Sequence, residues 1–323
     1  MKVVITDYYY ETLDNEKRIF SQVDDLELEA YHCKDENEVI NLVKDADAVI
    51  VQFAPMTKKV IDAMEKCKII VRYAIGVDNI DLNAATEKGI YVANVPDYSI
   101  DEVSNHAITL LMALTKKLIP LVNSVKDGKW DYTITKPLYR MRGKTLGLIG
   151  FGRIPYMVAE KMSGFGLNII AYDPYVNKQL ADKLNVQLVS LEDLLRNADY
   201  VSVHCPLTNE TRHLLSTNEF KLMKNTALLV NTARGPIIDE EALVEALKAG
   251  EISAAGLDVI ENEPIKNDSP LLTMDNVIVT PHNAWYSVDA VATLQTSVAE
   301  EVVRVLTGNM PKNLVNKKVL ERN

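Results

Sequence analysis

Short runs of β-branched residues alternate with amphipathic stretches along most of the chain. In the first hundred residues, segments 2–6, 48–52, 69–73 and 90–92 read as strands, rich in Val and Ile and bounded by polar turns. Segments 36–44 and 57–66 carry apolar positions at helical spacing between them. Alternation of this kind builds a parallel sheet covered by helices on both faces. The pattern changes at Pro96. Asp97-Tyr98-Ser99 is loop chemistry, and Asp101 is placed to cap a long helix with apolar residues through Leu118, a bridge between domains. Residues 127–142, with Gly128, Pro137 and mixed charge, read as loop and linker.

A second alternation starts at Lys144, with strands expected at 145–149, 168–172, 200–204, 227–231, 254–259 and 276–280. Six strands separated by helical segments match a complete doubly wound dinucleotide domain. The last helix, 288–306, has to return to the first domain because the sequence ends soon after it. The expected class is α/β, with two doubly wound parallel-sheet domains. A Rossmann domain at 101–284 is inserted into a flavodoxin-like substrate domain made of 1–100 and 285–323. No internal repeat is evident by inspection.

Composition narrows the options. A length of 323 residues exceeds one ordinary core and favours two domains. A formal charge of −10 argues against nucleic acid, whose phosphates call for a clustered basic face. The basic run at 312–322 is more simply a solvated tail. No eighteen apolar residues run together and the N-terminus lacks a signal-peptide pattern, so the expectation is a cytoplasmic protein that does not engage a membrane. Cys33, Cys67 and Cys205 have no paired metal spacing, which predicts reduced thiols and no metal site.

Candidate chemistry begins at Gly147-Leu-Ile-Gly150-Phe-Gly152-Arg-Ile-Pro155, a strand-to-helix turn. Glycines there let the backbone approach a pyrophosphate, and the helix start offers free N–H groups to its charge. Glycine pairs also make ordinary tight turns, so the context decides. Asp173 ends the next strand, where a carboxylate hydrogen-bonds a ribose and repels a 2′-phosphate. Asp173-Pro-Tyr-Val-Asn177 contains no arginine, so NAD is expected over NADP. Pro155 stands at the third fingerprint glycine, in a first turn where its missing N–H lacks an intrahelical partner anyway.

Arg234, Glu263 and His282 each follow a late strand, where open α/β sheets place their sites. Individually each is an unremarkable loop residue; their joint occurrence at three successive strand ends is not. The segments Asn231-Thr-Ala-Arg-Gly-Pro, Gly256-Leu-Asp-Val-Ile-Glu-Asn-Glu-Pro and Thr280-Pro-His resemble signatures of the D-isomer-specific 2-hydroxyacid dehydrogenases. Gly76-Val-Asp-Asn-Ile-Asp, Asn94-Val-Pro and His204-Cys-Pro-Leu-Thr are similar too, and the resemblance covers nearly the whole chain. Thr280-Pro-His-Asn-Ala-Trp-Tyr-Ser most resembles the branch holding the C-terminal-binding corepressors and related bacterial dehydrogenases.

The resemblance implies NAD-dependent interconversion of a small 2-keto acid and its D-2-hydroxy acid. Arg234 would hold the carboxylate and polarise the carbonyl as a planar, forked cation. His282 would donate and retake the proton, because imidazole titrates near working pH. Glu263 would orient the imidazole and favour its charged form; it also argues against the formate-specific branch, which carries glutamine there. Backbone N–H groups at Ile75 and Gly76 would meet the substrate carboxylate, although Ala74 stands where glycine is frequent. Implied cofactor contacts are Gly150, Gly152, Arg153 and Ile154 at the pyrophosphate, Asp173 at the ribose, Cys205, Pro206 and Thr211 along the adenosine side, and Thr232, Ala233, Arg234 and Asp258 beside the nicotinamide. Phe53 and Trp285 suggest a partly apolar substrate pocket, with core packing or the domain seam as the alternative. A homodimer through the cofactor domains is implied. An NAD(H)-sensing corepressor-like binding protein is the rival reading. It would retain the same three polar residues but should carry a long disordered tail, so an enzyme is expected.

Overall fold

A computed structural model describes residues 1–33, 35–176 and 178–322; Asn177, at the end of the Asp173 run, lies outside them. The chain divides into two compact units, residues 1–99 with 286–323 and residues 100–285.

The first unit alternates β1 (Lys2–Ile5), α1 (Asp14–Phe20), β2 (Glu27–Ala30), α2 (Glu36–Val43), β3 (Ala48–Val51), α3 (Lys58–Ala63), β4 (Ile69–Arg72), α4 (Leu82–Glu87) and β5 (Tyr91–Ala93). All strand pairs are parallel, in the order β2-β1-β3-β4-β5, the flavodoxin-like arrangement. Successive residues of β1 serve opposite faces: Val3 and Ile5 pack into one core, Val4 into the other. Two covered faces explain why β1, β3 and β4 read as continuous apolar runs. The edge strand β2 was not expected from the sequence. Its pattern places Glu27 and Glu29 beside Leu28 with little burial, as solvent-facing edges tend to. The fifth strand lies one residue beyond the expected 90–92, because Tyr91 rather than Ile90 pairs with Ile69.

The second unit contains α5 (Ile100–Lys116), α6 (Leu118–Lys126), β6 (Thr145–Ile149), α7 (Arg153–Met162), β7 (Asn168–Tyr172), α8 (Lys178–Asp182), β8 (Gln187–Leu188), α9 (Leu191–Asn197), β9 (Tyr200–Val203), α10 (Thr217–Leu222), β10 (Leu228–Asn231), α11 (Glu240–Ala249), β11 (Ala254–Leu257) and β12 (Val277–Val279). Its parallel sheet runs β12-β11-β10-β9-β6-β7-β8, which is the Rossmann order with one further strand beyond the sixth. The two-residue edge strand β8 is too short to leave a period in the sequence. The final helix, α12 (Val288–Leu306), packs on α1 and β4 of the first unit.

Asp101 is not a cap but the second residue of α5, where its carboxylate takes hydrogen bonds from Lys161 and Asn105. The long helix belongs entirely to the second unit and packs on α7, β10 and β11. Gly256 on β11 makes that approach possible, since a Cβ there would lie 3.1 Å from Leu110 Cβ. Among the described residues no single helix is long and apolar enough to cross a membrane. The bent pair α5 and α6 passes by length and composition alone, and the apolar residues of α5 are core.

Candidate active site

The dinucleotide turn joins β6 to α7. Gly150 adopts φ +89°, and a Cβ on it would lie 2.8 Å from the Cys205 backbone nitrogen, so only glycine fits between the two loops. Gly152 faces open space and caps α7 with no side-chain hydrogen bond, leaving helix N–H groups without a side-chain acceptor from the cap. Pro155 is buried as the third residue of α7, within the turn that tolerates it. Arg153 is exposed and Ile154 half-buried at the same helix start.

Asp173 follows β7 and binds backbone with both oxygens, accepting the Phe151 N–H at 2.8 Å and the Tyr175 N–H at 2.8 Å. It therefore shapes the glycine turn as well as standing at the strand end. Cys205 is buried, and burial pushes its thiol up to about 11, so at neutral pH it stays protonated. Burial likewise pushes the neighbouring His204 imidazole down to about 3. The ring is enclosed although the residue keeps some exposed surface; its Nε2 lies 2.8 Å from Ser202 Oγ. The Thr211 hydroxyl closes its own loop, donating to the Pro206 carbonyl at 2.6 Å and accepting from the Thr208 N–H at 2.7 Å.

Three loops at the carboxyl ends of β10, β11 and β12 carry the remaining polar residues. After β10, buried Asn231 accepts the Ala233 N–H at 3.0 Å and donates to the Arg234 carbonyl at 3.0 Å, which fixes the backbone under Arg234. Gly235 presses on the next loop so closely that a Cβ would lie 1.8 Å from the Ile260 oxygen. The half-buried Arg234 guanidinium donates to the Ala233 carbonyl at 2.8 Å. In the β11 loop, Glu263 Oε1 accepts the Ile260 N–H at 3.3 Å, and Oε2 lies 2.7 Å from Nδ1 of His282. His282 holds φ +52°, a left-handed conformation uncommon for a residue with a side chain. Its N–H donates to the Asp258 carbonyl at 2.8 Å, which pins that backbone. Trp285 donates its indole N–H to the His282 carbonyl at 3.0 Å, so the aromatic ring is tied to the same loop.

Asp258 is almost wholly buried, yet its carboxylate accepts from Thr280 Oγ1 at 2.6 Å, Asn283 N at 3.0 Å and Ala284 N at 2.9 Å. Thr232 is buried, and its Oγ1 has no hydrogen-bond partner among the described residues. Such an orphaned hydroxyl costs free energy unless a ligand meets it. An uncapped helix N-terminus beside an open glycine, a carboxylate ending the second strand of the sheet unit and this hydroxyl together suit a dinucleotide.

Within the first unit, the Asp7 carboxylate accepts the N–H groups of Gln52, Phe53 and Ala54 at 3.1, 2.6 and 3.2 Å, holding the turn after β3. Phe53 is exposed and meets Tyr9 edge to face, ring centroids 5.6 Å apart. Ile75 and Gly76 follow β4, where Asn94 Nδ2 donates to the Ile75 carbonyl at 2.6 Å and the Val95 N–H to the Ala74 carbonyl at 3.1 Å. The contacts that Asp7, Tyr9 and Asn94 make with these loops were not legible in the sequence, since a loop residue's hydrogen-bond partner leaves no trace in spacing.

An inserted Rossmann unit with an open glycine turn and an orphaned hydroxyl, and with a glutamate–histidine pair at its late strand ends, defines a dinucleotide-binding protein. The chain belongs to the D-isomer specific 2-hydroxyacid dehydrogenase family. Residues 108–284 match that family's NAD binding domain, and NAD is the cofactor. It is 43% identical over 318 residues to a D-3-phosphoglycerate dehydrogenase of Methanocaldococcus jannaschii, covering 98% of this chain but 59% of that one. The chain thus spans about three-fifths of that relative's length. It is 40% identical to a glyoxylate reductase of Korarchaeum cryptofilum, covering 88% of this chain and 86% of the relative. A D-lactate dehydrogenase from Aquifex aeolicus, solved with NAD and lactic acid, superposes with a TM-score of 0.86 at 28% identity, covering 99% of this chain and 98% of that one.

Proposed function

We propose that this chain is an NAD-dependent oxidoreductase that interconverts a small 2-keto acid and its D-2-hydroxy acid. The observation that carries the reading is the 2.7 Å pairing of Glu263 with His282 Nδ1 at adjacent strand ends of an NAD-binding domain. A hydrogen on Nδ1 directed at the carboxylate leaves Nε2 for the substrate. His282 donates its proton to the carbonyl oxygen during reduction and takes it back during oxidation. Bound NADH supplies the hydride that the carbonyl carbon receives. Arg234 holds the substrate carboxylate and polarises the carbonyl, and Glu263 orients His282. Ile75 and Gly76 offer backbone N–H groups to the carboxylate, while Phe53 and Trp285 bias selection toward particular side chains.

In the same reading the α7 turn with Gly150, Gly152, Arg153 and Ile154 binds the pyrophosphate and Asp173 the ribose. Cys205, Pro206 and Thr211 line the adenosine side, and Thr232, Ala233 and Asp258 meet the nicotinamide. Supporting a homodimer, α6 exposes Leu118, Ile119, Val122 and Val125 on a stripe at helical spacing, with Trp130 and Tyr132 just beyond. No observation favours the corepressor-like alternative.

The test is NADH oxidation against pyruvate, glyoxylate, hydroxypyruvate, 2-ketoisocaproate, phenylpyruvate and 3-phosphohydroxypyruvate. Turnover of at least one, with the D-hydroxy acid as product, is expected. Tight NADH binding with no turnover of any of them would overturn the reaction.

A further inference from the structure

His106 stands in the second turn of α5, on an element that carries none of the residues assigned above. One turn later Leu110 rests on Gly256 of β11. Residues four apart share a helix face, and residues two apart share a strand face. The Leu110–Gly256 contact therefore brings His106 over the end of β11, where Asp258 emerges.

The contacts there form a chain with a defined direction. His106 Nε2 lies 2.9 Å from Thr280 Oγ1 and 3.4 Å from Asp258 Oδ1. Thr280 has one hydroxyl hydrogen, and at 2.6 Å it goes to Asp258 Oδ1. The Thr280 oxygen must then accept from His106, so Nε2 of His106 carries a hydrogen. Asp258 is 1% exposed, and its carboxylate also accepts the N–H groups of Asn283 and Ala284, the two residues that follow His282. The Asp258 carbonyl also accepts the His282 N–H. One carboxylate thus ties together α5, the Thr280 hydroxyl and the loop bearing His282.

We infer that His106 is a positioning residue for hydride transfer: through Thr280 it orients the Asp258 carboxylate and, with it, the 280–284 loop that carries His282. This rests on the reading of Asp258 as the nicotinamide partner and His282 as the acid. Losing the His106 hydrogen frees the Thr280 hydroxyl to rotate away from Asp258, and a buried carboxylate that loses a donor reorients toward whatever donor remains. His106 needs no contact with the reactants to have this effect.

The experiment compares His106→Gln, His106→Leu, Thr280→Val and the His106→Leu/Thr280→Val double variant with wild type. Read-outs are the NADH dissociation constant by fluorescence, kcat and KM for the best keto acid, the isotope effect with 4-deuterated NADH, and the melting temperature. Gln keeps an N–H donor near Nε2; Leu keeps only bulk. The expected result is that His106→Leu loses about tenfold in kcat and weakens NADH binding severalfold, as removing one member of a polar network does. The isotope effect should rise, with KM and melting temperature little changed. Gln should recover kcat to within about threefold of wild type, and the double variant should be no worse than either single one, because both break the same chain.

If Gln performs no better than Leu, or the two single losses simply add, His106 is only a packing residue and the inference fails. Wild type that binds NADH but turns over no keto acid would instead sink the proposed reaction. The NADH-binding arm, with the same Gln–Leu contrast and the same non-additivity, would still decide the role of His106.

Discussion

Glu263 Oε2 lies 2.7 Å from Nδ1 of His282, and the Glu263 side chain is itself held by the Ile260 N–H through its other oxygen. The imidazole is thus steered by a carboxylate that cannot swing freely. Reduction consumes an imidazolium and oxidation an imidazole, so the two rates should depend on pH in opposite senses. Glu263→Gln weakens the acceptor that steers the ring and should lower kcat in both directions while leaving NADH binding in place. His282→Ala should cost roughly 10²–10⁴-fold in kcat while NADH binding survives. An unchanged kcat in Glu263→Gln would rule out an orienting role for the glutamate.

Asp173 predicts strong preference for NADH over NADPH, since its carboxylate repels a 2′-phosphate. The same side chain holds the Phe151 and Tyr175 N–H groups. Asp173→Ser should therefore narrow the cofactor preference and also raise the KM for NADH, because the glycine turn loses its Phe151 anchor and the loop after β7 loses its own. The ratio of kcat/KM for the two cofactors, measured in both proteins, decides it; equal ratios in wild type would contradict the assignment.

Glu16 is fully buried on α1, accepting the Tyr73 hydroxyl at 2.7 Å, and burial raises its carboxyl above the ordinary glutamate range. A raised acid is easier to hold neutral in the fold than in the unfolded chain. Its contribution to stability is complete below the ordinary glutamate value and is lost as pH rises through the folded one. Glu16→Gln mimics the neutral acid. It should match wild type near pH 4 and exceed it at pH 7 by roughly a few degrees in the first unit's transition. Thermal melts across that interval check this; a gap independent of pH would show that Glu16 does not titrate there.

Gly235→Ala would place a methyl carbon 1.8 Å from the Ile260 oxygen. Neither backbone can yield without moving the Arg234 or the Glu263 loop. A cost of about 1–3 kcal/mol is the usual range for overpacking, and this backbone collision lies at its upper end. At about 2–4 °C per kcal/mol for a unit of this size, calorimetry should resolve the drop. The kcat/KM should fall further than the residual folded fraction explains, because the two loops separate.

Much of the fold was legible because its strands are buried on both faces. Continuous apolar runs such as Val3-Val4-Ile5 and Leu228-Leu229-Val230 leave little else for the chain to form. The edges β2 and β8 were not legible, since half-solvated pairing needs no apolar run. Gly150, Asp173, Arg234, Glu263 and His282 could be singled out in the sequence because each stands just beyond a strand, and short-range order fixes that placement. Asp101 misled because an acidic residue at a helix start satisfies a capping rule equally well from inside the first turn.

By itself the sequence determined which residues end which strands, and hence the two doubly wound sheets and the polar set at their carboxyl ends. Spacing along a strand or helix is a local property, and local sterics read it directly. Only the tertiary structure decided which of those ends touch. Asp7 capping the turn at 52–54, Gly235 against Ile260 and His106 on Thr280 join residues separated by long stretches of chain. Such pairs are set by how helices settle on a sheet, where a missing Cβ at Gly256 matters more than any spacing. Packing, which depends on every neighbour at once, chose the partners.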